Sequence, residues 1–85
     1  MSRFINAFTW NQAPNDEFFS LLPTEQANIR KLIAEGKLLH IFLPEDNSGG
    51  WAIFNGESLE DVLAVVEQMP LHKFMNVNVK KLAEF

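Results

Sequence analysis

A helical repeat stops at Pro70, and within four residues a different periodicity takes over. Leu59, Val62, Leu63, Val66 and Met69 recur at three- and four-residue spacing, the stripe of a helix that buries one side. From Phe74 to Lys80 the apolar positions alternate instead, the mark of a strand. Between them, Pro70-Leu71-His72-Lys73 is a short loop carrying two polar side chains. A helix joined this tightly to a final strand must lie across the sheet that the strand completes.

The rest of the chain supplies that sheet. Residues 3–10 alternate, with Phe4, Asn6, Phe8 and Trp10 on one face and Ile5, Ala7 and Thr9 on the other, a first strand. Asn15 or Asp16 can cap a short helical turn reaching Leu22. Pro23 suits a first helical position, so the main helix is expected from about Pro23 to Glu35, with Gly36 as its stop. One kinked helix from Asp16 is the alternative. Lys37 to Leu43 is a second strand, Pro44 to Gly50 a polar hairpin loop, and Trp51 to Asn55 a third strand. Ser58-Leu59-Glu60-Asp61 approximates a capping box for the second helix. The order βαββαβ predicts an α+β, ferredoxin-like fold: a four-stranded antiparallel sheet with two helices on one face, in one domain spanning residues 1–85.

Composition narrows the function classes. The net charge of −4 and the lack of a basic stripe argue against nucleic acid or an anionic membrane as partner. With no cysteine, disulfide and thiolate chemistry are excluded. Two histidines without further ligand spacing give no metal site, and no motif calls for a cofactor. Met1-Ser2-Arg3 leads straight into a strand pattern rather than a signal segment, so a cytoplasmic location is expected.

Eight Phe and two Trp are more aromatic surface than one core of 85 residues easily hides. Sorting strand residues by strict alternation separates two faces. Ile5, Ala7, Leu39, Ile41, Leu43, Val77 and Val79 form a compact aliphatic face that suits packing under the helices. Phe4, Asn6, Phe8, Trp10, Leu38, His40, Phe42, Trp51, Ile53, Phe74, Asn76 and Asn78 form the other. Left bare, that second face would be a large exposed patch. A homodimer packed sheet to sheet is the expected remedy, with a small-molecule pocket or a dry seam between the copies.

Glu25 shares the inward stripe of the first helix with Leu22, Ile29 and Leu32, which would raise its pKa and fit it for proton transfer. It can equally serve as a favourable charge in the first turn. His40, between Leu38 and Phe42, is a pocket histidine or a satisfied structural one. His72 and Lys73 can meet an anionic ligand group or face water.

Met69-Pro70-Leu71-His72-Lys73-Phe74-Met75-Asn76-Val77 resembles the Leu-Pro-Leu-x-Pro-aromatic-Met-Asp-aliphatic segment of muconolactone isomerases. Glu35-Gly36-Lys37-Leu38-Leu39-His40 resembles that family's Glu-Gly-x-x-x-His. Lys73 stands where Pro is usual, and Asn76 replaces an acidic residue. The resemblance implies a dimeric α+β barrel, as a homodimer or higher homo-oligomer. It also implies cofactor- and metal-free proton transfer between two carbons of an unsaturated lactone carrying a carboxylate. Glu25 would be the acid/base and His40 its pocket partner. Phe8, Trp10, Phe42, Trp51, His72, Phe74 and Asn76 would bind the substrate. A non-catalytic binding or assembly module and a cofactor-independent monooxygenase-type barrel are the rival readings.

Overall fold

The computed structural model describes residues 1–84. Its strands are β1 (Ser2–Trp10), β2 (Leu38–Phe42), β3 (Gly49–Gly56), β4 (Met75–Asn76) and β5 (Val79–Lys81). Helices α1 (Asp16–Ala34) and α2 (Leu59–Glu67) connect them, and a 3-10 turn spans His72–Phe74. The sheet runs in the order β2-β3-β1-β4, with β5 also paired to β1, and every pairing is antiparallel. This is the expected ferredoxin-like α+β architecture. The last strand is divided in two, because Val77 and Asn78 leave the ladder between β4 and β5.

Local chemistry accounts for the helices. The Asn15 side chain accepts from the Phe18 N–H and caps α1 at Asp16. The helix runs through Pro23 without stopping, so the single long helix is the form adopted rather than one starting at Pro23. At its far end Lys37 N–H donates to the Leu32 carbonyl and Gly36 N–H to that of Ile33, closing a Schellman motif. Gly36 sits at φ +74°, which a side chain would resist. Ser58 caps α2 by accepting from Asp61 N–H.

The core falls into two apolar clusters. Phe4, Leu38, Phe54, Val62 and Val66 lie in the first, each at most 2% exposed, with Leu32, Ala52 and Met69 around them. Phe8, Phe18, Leu71, Phe74 and Met75 form the second. Each large side chain buried in this way contributes about 1.5–3 kcal/mol.

The burial pattern corrects the sorting of faces. Phe4, Asn6 and Phe8 of β1 point under the helices, and Ile5 and Ala7 lie on the other side. Aromatic rings of Phe4, Phe8 and Phe54 share the space beneath α1 and α2 with Ile41, Leu43 and Val79, which lie on the helix side as expected. In β2 a bulge between Leu38 and His40 breaks the period of two. Leu38 is therefore buried, whereas His40 and Phe42 lie with Trp51 and Ile53 on the uncovered face. Phe74 belongs to the 3-10 turn and is 1% exposed in the second cluster, not on the open sheet.

Candidate active site in the seam between two clusters

Along β1 the inward positions read Phe4, Asn6, Phe8. Along α1 they read Phe18, Glu25, Leu32. In each case the outer two residues belong to different clusters and the polar one lies between. Asn6 and Glu25 are the buried polar side chains among the described residues, 1% and 4% exposed. They line a cavity of about 180 Å³ between α1 and the sheet. Phe8, Trp10, Phe18 and Leu22 form its aromatic end, and Ile29, Ile41, Ala52, Met69, Leu71 and Met75 complete the apolar wall, with Leu43 and Gln26 also bordering it. Trp10 is held edge-on between Phe8 and Phe18, with ring centroids 5.4 and 5.2 Å away.

Glu25 is held by the turn after α2. The Leu71 N–H donates to Glu25 Oε1 at 3.1 Å. No other hydrogen bond to this carboxylate forms among the described residues, and no buried side-chain nitrogen or oxygen there lacks a partner. Oε2 is therefore not sealed within the protein, and Glu25 lines the cavity. Burial pushes the Glu25 carboxyl above the ordinary carboxylate range, and the Leu71 hydrogen bond partly offsets that rise. A carboxyl in apolar surroundings, with one oxygen anchored and the other free, can take up and return a proton.

The residues singled out from sequence do not all meet here. Phe8, Trp10 and Glu25 line the cavity. His40, expected beside Glu25, is on the opposite side of the sheet, exposed and stacked on Phe42 at 5.8 Å between centroids. Phe42 and Trp51 are 55% and 44% exposed on that same face and do not line the cavity. The bulge in β2 explains the misplacement, since it turns His40 away from the face of Leu38. Asn76 is exposed and donates from Nδ2 to Thr9 Oγ1 at 3.3 Å. Phe74 packs behind the cavity against Phe18, with centroids 5.4 Å apart. His72 is half-buried in the 3-10 turn, and Lys73 pairs with Glu17. Asn6 was legible only as one more polar strand residue, and nothing in the sequence points to the Leu71 amide.

No group of three or more His, Cys, Asp or Glu side chains is placed to hold a metal among the described residues. No helix there is long and apolar enough to cross a membrane.

Comparison with known proteins agrees with this geometry at the level of fold. No curated protein sequence matches the chain. A muconolactone isomerase crystal structure superposes with a TM-score of 0.82 at 22% identity, covering 98% of this chain and 90% of that one. A 5-chloro-2-hydroxyhydroquinone dehydrochlorinase from Burkholderia phenoliruptrix, in complex with 2,5-dihydroxybenzoquinone, does so at 0.78 and 16% identity, covering 98% and 95%. The family model for muconolactone delta-isomerase matches residues 6–85, so the chain belongs to the muconolactone delta-isomerase family.

Proposed function

We propose that this protein is a cofactor-free proton-transfer enzyme acting on a small unsaturated lactone or a similar enolisable metabolite, with Glu25 as its acid/base. One observation carries the reading: a carboxyl that is 4% exposed, raised in pKa and anchored by one oxygen lines an apolar cavity with its other oxygen unpartnered. Ionised, Oε2 takes a proton from an acidic carbon beside the carbonyl system. The electron pair moves into the conjugated system, placing negative charge on the carbonyl oxygen. The same carboxyl then returns its proton to a second carbon, and the double bond has shifted. Nothing is oxidised or reduced.

His40 has no part in this step, because the sheet separates it from Glu25. We place it instead, with Phe42, Trp51, Ile53 and Ile5, on the surface where a second copy packs. Phe42 pairs across the strands with Trp51, and Ile5 with Ile53, so exposed Phe42 and Trp51 and half-buried Ile5 and Ile53 form one apolar patch on the face without helices.

The acid/base role is tested with Glu25→Gln, assayed on unsaturated lactones by following the conjugated product in the ultraviolet. Glutamine keeps the acceptor for Leu71 but cannot take up a proton. Turnover is expected to fall by about 10²- to 10⁴-fold. Unchanged turnover would remove Glu25 from the reaction.

A further inference from the structure

We propose that the cavity selects an uncharged ligand, and that Asn6 binds it by donating its side-chain N–H to a carbonyl or lactone oxygen. This rests on the reading of the cavity given above and names its ligand class.

Asn6 occupies a position where an apolar residue would pack more simply. It lies between Phe4 and Phe8 on the inward face, in register with Ala52 on one side and Val79 on the other. Its orientation is fixed. Asn78, in the break between β4 and β5, donates its backbone N–H to Asn6 Oδ1 at 3.2 Å. The carbonyl of Asn78 is in turn held by the Ala7 N–H at 2.9 Å. With the oxygen committed to that side, the amide nitrogen must point away from it. Nδ2 has no protein partner among the described residues, yet it is not sealed off, and the residue lines the cavity. Supporting the strand break explains the oxygen. It does not explain two N–H donors left without a protein partner in a residue that lines an apolar space, which a ligand acceptor would satisfy.

The charge of the wall gives the second half. No Lys, Arg or His lines the cavity among the described residues, and its one ionisable group is the acid Glu25. Lys73, close in sequence, is already paired with Glu17. An anionic ligand would meet a carboxylate in apolar surroundings without a countercharge from the described residues of this chain, whereas a neutral carbonyl compound meets a donor. The volume of about 180 Å³ corresponds to roughly six waters, room for a single small ring.

The test compares two lactones that share a ring. β-Angelica lactone carries a methyl group where muconolactone carries that carbon extended by a carboxylate. Each is titrated into ¹⁵N-labelled protein, with binding read from amide resonances. The neutral lactone is expected to bind at least about tenfold more tightly and to shift the Asn6 side-chain amide signal. Asn6→Asp keeps the oxygen that Asn78 needs and removes the donors. It is expected to weaken binding of β-angelica lactone by about tenfold. Full turnover by Glu25→Gln would defeat the acid/base role and leave this binding comparison standing. Equal or tighter binding of muconolactone, unchanged binding by Asn6→Asp, an unmoved Asn6 signal, or no binding of β-angelica lactone would overturn the present proposal.

Discussion

Glu25 links the chemistry of the cavity to the stability of the fold. Its folded pKa is raised by burial, so the folded chain holds this proton more tightly than the unfolded chain does. The contribution of the group is therefore fully present below the ordinary carboxylate range. It is lost as pH rises through the raised folded value. Glu25→Gln carries no charge at any pH and can keep the bond to Leu71. Its melting temperature is expected to exceed that of the wild type at about pH 8, with the gap closing towards about pH 4. A variant less stable than wild type at the higher pH would contradict this. The inward position of Glu25 was legible from its spacing to Leu22, Ile29 and Leu32, because helical periodicity survives burial. The position of His40 was not, because a bulge inserts a residue that alternation cannot detect. The partnership of Asn6 with Asn78 spans 72 residues and has no local signature.

At the scale of elements, α1 shows why a local rule gave way. Proline inside a helix removes a hydrogen bond and crowds the preceding turn. Pro23 and Phe19, whose carbonyl loses its donor, are both exposed, so water can take the place of the missing N–H. Packing of Phe18, Glu25 and Leu32 on the other side holds the helix continuous across the defect. Pro23→Ala should restore the bond and raise stability by about 1–3 kcal/mol in denaturant unfolding. Loss of stability would show that the proline is needed for the path of α1 over the cavity. The element order and the stops at Asn15, Gly36 and Ser58 could be read directly, since capping depends on a few adjacent residues. The division of the last strand could not. Alternation continues through Val77 and Asn78, while the Asn78 N–H is claimed by Asn6 rather than by a ladder.

At the scale of the molecule, the sheet has two aromatic sides with different tasks. The side under the helices is filled by two clusters whose polar seam holds Glu25 and Asn6. The uncovered side exposes Phe42 and Trp51, where we propose that a second copy packs. The cavity is lined by residues of one chain, and we propose that its chemistry needs none from that copy. Trp51→Glu places a charge on the open face and none in the cavity. The decisive measurement is therefore deuterium incorporation into the carbon positions of β-angelica lactone in heavy water, followed by NMR. Wild-type protein and Trp51→Glu, the latter monomeric by light scattering, are both expected to exchange those positions, and Glu25→Gln is expected not to. Exchange by Glu25→Gln at the wild-type rate, or its loss in folded Trp51→Glu alone, would contradict a proton-transfer site lying between α1 and the sheet of a single chain.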